Sequence, residues 1–151
     1  MQDVTRENWR TTLTLSVHPD QQRFVSHYTP IAAIALAKAY IRPANLVWKP
    51  YAFYADTIMI GFVVLAYLPG SSNDYWIYHF FIDYRHQGKG YGKQVLQCLL
   101  DFIKQQYPSC HMIQLTVHPE NTRAQELYQS IGFQRTDKEV DGEPLYIFHV
   151  S

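Results

Sequence analysis

Tyr75 to Ile82 reads as an apolar strand, and the basic, glycine-rich turn Asp83-Tyr84-Arg85-His86-Gln87-Gly88-Lys89-Gly90-Tyr91-Gly92-Lys93 follows it. From about Tyr91 a strongly amphipathic helix begins. Strand, glycine turn and helix in this order build a cradle for an anion. Gly88, Gly90 and Gly92 let the backbone approach a ligand closely, with several N–H groups free to converge on it. The helix points the positive end of its dipole at the same place.

The spacing decides which phosphate ligand this cradle suits. A nucleotide-hydrolase loop, G-x-x-x-x-G-K-[ST], would need glycine where Gln87 stands and a magnesium-binding hydroxyl where Gln94 stands. A dinucleotide fingerprint G-x-G-x-x-G fails at Lys93 when started from Gly88 and at Val95 when started from Gly90. The pattern that fits is Q/R-x-x-G-x-G, filled by Gln87, Gly90 and Gly92. By itself this pattern does not separate a pyrophosphate loop from an ordinary glycine turn before a helix.

The chain has the size of one domain, residues 1–151, with 47% hydrophobic and 17% charged residues, the balance of a folded chain able to bury a single core. A formal net charge of zero gives no electrostatic reason to expect nucleic acid or an anionic membrane as partner. No apolar run approaches the ~18 residues of a membrane span, and the polar N-terminus is not a signal peptide. Cys98 and Cys110 form no metal-spaced pair; they read as reduced thiols of a cytoplasmic protein that needs no metal. The 12 tyrosines suggest a cleft lined by amphipathic rings, although tyrosine-rich cores without ligands also occur.

Along the chain, Thr5 or Asn8 caps a first helix with Trp9, Leu13 and Val17 on one face, broken by His18-Pro19-Asp20. A second helix is expected after Asp20, then an interruption at Tyr28-Thr29-Pro30 and an alanine-rich helix from Ile31 to Tyr40. The period changes to two at Val47. Val47–Tyr54 and Ile58–Tyr67 read as an antiparallel hairpin, and Leu68–Asp74 as a loop. The helix after the glycine turn carries Val95, Leu96, Leu99, Leu100, Phe102 and Ile103 in one stripe and ends near Tyr107-Pro108. Met112–His118 is the next strand, so the unit closes by a right-handed crossover and parallel pairing. Thr122 and Gln125 are spaced as a capping box for a last helix that ends at Gly132, before strands at Phe133–Thr136 and Leu145–Val150 around Asp141-Gly142.

That last helix carries a second signature. Asn121 follows the strand, Ala124 stands three residues on, then come Leu127-Tyr128 and the ending Gly132-Phe133. Together with Gln87-x-x-Gly90-x-Gly92, one helix and one strand earlier, it resembles the GNAT family of N-acetyltransferases, which bind acetyl-coenzyme A. The resemblance covers residues 47 to 150 in element order. It implies an α/β (α+β) fold with a mixed six- to seven-stranded sheet, central splayed parallel strands and flanking helices. The N-terminal helices match only in placement.

The resemblance implies a chemistry as well. An amine attacks the thioester of acetyl-CoA, which serves as cosubstrate. The attack needs an N–H aimed at the developing oxyanion, a route for the amine's proton and an acid for the thiolate. Phe81, Ile82 and Asp83 would hold the pantetheine and the thioester carbonyl. Gln87, Gly88, Lys89, Gly90, Tyr91, Gly92 and Lys93 would hold the pyrophosphate, with Asn121 and Arg123 reaching the cofactor from the other side. Tyr128 would be the general acid, a phenol of pKa ~10 facing a thiolate of ~8.5 or slightly higher; otherwise it is a core tyrosine packing its helix on the sheet. His79 is the candidate base, with His118, Glu120 and a chain of water as rivals.

Within that family the wording is most similar to bacterial spermine/spermidine acetyltransferases: the start Asp3-Val4-Thr5-x-x-Asn8-Trp9, the run Trp48-Lys49-Pro50-Tyr51-Ala52-Phe53-Tyr54, and Tyr-x-x-x-Phe-Phe-Ile-Asp before the turn. The implied acceptor is a small-molecule amine, a polyamine first and another primary amine (amino acid, aminoglycoside or peptide N-terminus) as alternative; the remaining alternative is a non-catalytic acyl-CoA-binding sensor, against which Tyr128 argues. Tyr28, Trp48, Tyr54 and Trp76 offer aromatic faces for it, and Glu7, Asp20, Asp56 and Asp74 offer charge. A homodimer through the aromatic-rich strands stays open.

Overall fold

The pairing of Tyr75–Ile82 with its neighbours shapes the molecule, seen in a computed structural model that describes residues 1–25 and 30–151. Strands β1 (Gln2–Asp3), β2 (Val47–Ala55), β3 (Ile58–Tyr67), β4 (Tyr75–Ile82), β5 (Met112–Thr116), β6 (Gln134–Val140) and β7 (Glu143–His149) form a seven-stranded sheet in the order β1-β2-β3-β4-β5-β7-β6. Its pairs are antiparallel except β4 with β5. Among the described residues four α-helices flank it: α1 (Trp9–Thr12), α2 (Ile31–Ile41), α3 (Tyr91–Gln106) and α4 (Thr122–Ile131).

β3 is buried on both faces, and its alternation divides the core. Ile60, Val63 and Leu65 join the cluster under α3 and α4, while Met59, Phe62, Val64 and Ala66 join the one under α2. α3 seats Val95, Leu96, Leu99, Leu100 and Ile103 on the sheet, each fully buried aliphatic chain contributing roughly 1.5–3 kcal/mol. The β4–α3–β5 crossover is the expected parallel unit.

The N-terminal region departs from the expected helices. α1 stops at Thr12, because the Thr12 and Thr14 hydroxyls donate to the carbonyls of Trp9 and Thr11, three residues back, and compete with helical bonding. The chain then runs extended: Ser16 N–H donates to Asp83 Oδ2 (2.9 Å) and Ser16 O accepts from Tyr84 N–H (2.8 Å), while Leu15 and Val17 are buried. The second helix is a 3-10 turn over Pro19–Phe24, starting at Pro19. At α4 the cap is Asn121, whose Oδ1 accepts from Ala124 N–H (3.2 Å), and not a Thr122–Gln125 box; Gln125 instead donates to the carbonyls of His118 and Pro119. Gly132 ends the helix at φ +117° as expected.

Candidate active site

β4 sits between one regular and one abandoned partner. Toward β3 it pairs from Tyr75 to Ile82, but two residues, His79 and Phe80, stand opposite the single Val63. This is a bulge, and His79 takes φ +52° to make it. Gly61 is required beside it: a Cβ there would lie 2.8 Å from Phe81 O. Toward β5, only Tyr75↔Ile113 and Trp76↔Gln114 pair before the strands part. Beyond Trp76 the β5-facing edge of β4 has no ladder partner in β5. Asp83 N–H donates to Ile60 O on the β3 side (2.8 Å). Backbone groups alternate edges along a strand, so the N–H of Ile82 turns to the gap.

The gap opens into a cavity of about 360 Å³. At one end lies the glycine turn. Gly88 (φ +76°) and Gly90 (φ +80°) hold backbone conformations that side chains resist, and Gly90 caps α3 without any side-chain bond to the helix N–H groups. Gly92 is different. It lies in the first helical turn, where glycine costs roughly 1 kcal/mol against alanine, and a Cβ there would make only ordinary contact with Leu127, at 3.5 Å. Nothing in the fold asks for glycine at 92; what its bare backbone offers is close approach from the cavity it lines. Lys93, Asn121 and Arg123 line the same end, a donor set suited to a diphosphate.

Tyr128 lines the cavity from α4, its ring against Phe80 (6.2 Å between centroids) and Phe133 (5.7 Å). Among the described residues its hydroxyl has no hydrogen-bond partner, and the residue lines the cavity. Burial pushes the phenol well above its ordinary value.

Of the other expected site residues, Phe81, Ile82, Gln87 and Tyr91 line the cavity, whereas Lys89 stands exposed in the turn outside its wall. Gln87 works through its side chain, pairing with Gln21 (3.0 and 3.1 Å) and donating to Ile82 O (2.9 Å), and so ties the N-terminal segment to the turn. Asp83 is not among the residues that line the cavity. Its N–H is spent on β3, and its fully buried carboxylate holds Arg85 (2.7 Å) and Ser16 N–H; burial raises this acid, but those bonds outweigh it and hold it below the usual carboxylate range.

His79 is outside the cavity wall as well, because the bulge turns it toward α2. Its Nε2 lies 3.2 Å from Lys38 Nζ, and burial, helped by that charge, drives the imidazole down to about 4. A base so weak is poorly matched to an amine proton. The rivals are committed elsewhere: His118 lines the cavity, but its Nδ1 accepts from Glu120 N–H (3.1 Å), and Glu120 is paired with Arg23.

Among the described residues, those expected to greet the acceptor do not converge. Trp48 and Tyr78 are stacked at 4.9 Å and Trp76 and Tyr78 at 5.8 Å, with Lys38 Nζ over Trp48 (5.1 Å) and Tyr78 (5.8 Å), so the chain fills this aromatic face with its own cation. The Tyr54 hydroxyl meets Asn8 (3.4 Å), and Tyr28 lies outside the described residues. Glu7 is exposed and paired with Arg6, Asp20 sits in the 3-10 turn, and Asp56 and Asp74 occupy the turns at opposite ends of β3. The acid that lines the cavity is Glu143, at the start of β7, whose Oε2 accepts from Thr116 Oγ1 (2.8 Å). No motif contains it; only the antiparallel return of β7 beside β5 brings it there. Among the described residues no three His, Cys, Asp or Glu side chains gather as a metal site.

Comparison with known proteins gives the family and the fold. Residues 16–133 match the profile of the acetyltransferase (GNAT) family. A spermine/spermidine N(1)-acetyltransferase of Bacillus subtilis (strain 168) is 33% identical over 150 residues, 95% of this chain and 93% of that protein. The crystal structure of spermidine N-acetyltransferase from Vibrio cholerae in complex with CoA and spermine superposes with a TM-score of 0.72 at 19% identity, over 99% of this chain and 92% of the other. An acetyltransferase from Thermus thermophilus gives 0.74 at 16% identity, over 99% and 95%.

Proposed function

The chain belongs to the acetyltransferase (GNAT) family, and from that premise we propose that it moves the acetyl group of acetyl-CoA to a primary amine of a polyamine such as spermidine or spermine. One observation carries the reading. β4 and β5 part after two rungs, and the cavity they open has the start of α3, without a side-chain cap, at one end and Tyr128 in its wall.

Acetyl-CoA, when bound, supplies the acetyl thioester, and each remaining task falls to a group of this chain. The N–H groups of Gly88 to Lys93, with Lys93 and Arg123, take up the diphosphate charge. The unpaired edge of β4, including the Ile82 N–H, donates to the pantetheine and to the thioester oxygen as negative charge grows there. The C–N bond forms first, as charge grows on that oxygen, and Tyr128 gives its proton to the departing sulfur as the C–S bond then breaks. Its oxygen recovers a proton from the acylated nitrogen, through water. With His79 turned away and both His118 and Glu120 engaged, water in the cavity is the proton route that fits.

The raised phenol does not undo the match, because the same desolvation acts on thiols. Burial pushes Cys110 up to about 11 in this very core, so a thiolate leaving in an apolar cavity is a stronger base than in water.

A panel of amines with acetyl-CoA, read by release of free thiol, tests the proposal. Spermidine and spermine are expected to turn over faster than amino acids, aminoglycosides or peptide N-termini; no response to either polyamine overturns the acceptor assignment.

A further inference from the structure

Resting on that reading, we infer that Glu143 is the specificity residue of the acceptor site and holds an ammonium of the polyamine other than the one that reacts. The sheet has two faces at the gap. Ile113, Leu115 and Val117 of the β5 segment, and Tyr146 of β7, belong to the core shared with α3 and Tyr128. Thr116 and its partner Leu145 therefore turn to the opposite face, and Glu143, two residues before Leu145, turns with them. The cofactor groups cluster at the starts of α3 and α4. An acceptor that reaches the same thioester without displacing the cofactor comes from the other face, where Glu143 stands.

Charge supports the assignment. Among the described residues that line the cavity, Glu143 is the one carboxylate, against Lys93 and Arg123 on the cofactor side. Thr116 holds its Oε2, and among the described residues Oε1 has no partner and no cation pairs with the group. A half-buried carboxylate in this position gains from a visiting ammonium. It does not suit the reacting nitrogen, which attacks only as the neutral amine and would be held protonated by an adjacent anion. A second ammonium further along the same molecule meets both requirements. A monoamine cannot supply one.

Calorimetric titration of spermidine and of butylamine into the CoA-loaded protein separates the possibilities, using wild type, Glu143→Gln and Glu143→Asp. Spermidine binding is expected to weaken about 10- to 100-fold in Glu143→Gln and to recover in part in Glu143→Asp, as for loss of one charged hydrogen bond. Butylamine and CoA affinities stay the same in all three, which also shows that the variants fold. Spermidine binding unmoved by Glu143→Gln, an equal loss for butylamine, or no spermidine binding to wild type would each overturn the inference. The two readings fail separately: spermidine bound through Glu143 but never acetylated refutes the proposed function alone, and acetylation indifferent to Glu143 refutes the anchor alone.

Discussion

Burial holds Tyr128 protonated, its ring walled by Phe80 and Phe133 where the residue lines the cavity. Tyr128→Phe is expected to lower kcat with spermidine by about 10²- to 10³-fold, in the range of general acid catalysis, while acetyl-CoA affinity changes little. Steady-state rates beside a CoA titration check this, and unchanged turnover would reject the role. His79 carries a different expectation. Its folded value of about 4 lies below the 6.5 of the unfolded chain, so between these two values the unfolded state binds more protons. Stability is therefore whole above pH 6.5 and is lost as pH falls toward 4, by about 3 kcal/mol. Denaturation at stepped pH should show that loss and should show it flattened in His79→Asn. The sequence places both residues on their elements but not on their faces. The Leu127-Tyr128 pair of the second signature places Tyr128 on α4. The face of His79 could not be read, because a bulge with a left-handed φ breaks the alternation on which facing is judged from sequence.

The elements that were legible are those with a strong period. α3 declares itself through its aliphatic stripe, and the β2–β3 hairpin through alternation around Asp56-Thr57. α1 was not legible in full, because Leu13 and Val17 keep helical spacing while threonine hydroxyls and the long-range bonds of Ser16 to Asp83 and Tyr84 draw the chain out. Long-range pairing also hid Glu143, which is 27 residues from its partner Thr116. At the start of α3, Gly92 offers a test at this scale. Gly92→Ala should leave the fold as stable or more stable by up to about 1 kcal/mol, since helix propensity improves and the added methyl meets no clash. CoA affinity should fall in the same variant. A thermal melt paired with CoA titration checks both, and unchanged affinity would mean that the backbone at 92 is not where the diphosphate sits.

Across the whole molecule, the proposed function divides between the two faces of one sheet. The α3–α4 side offers helix N-termini and cations, and the other side offers Glu143 beside Thr116. That segment bridges both banks of the gap: Gln21 holds Gln87 beyond β4, while Arg23 pairs with Glu120 and Phe24 packs on His118 (5.1 Å) beyond β5. Among the described residues no helix is long and apolar enough to cross a membrane, and the formal net charge of zero leaves recognition to local groups. The central claim is that the parting of β4 and β5 is the seat of acetyl transfer. A crystal structure with CoA and spermidine tests it most directly. The account predicts the diphosphate on Gly88 to Lys93, the pantetheine between β4 and β5 with its sulfur at the Tyr128 hydroxyl, and spermidine on the opposite face beside Glu143. Pantetheine found outside that gap, or its sulfur out of reach of Tyr128, would contradict it.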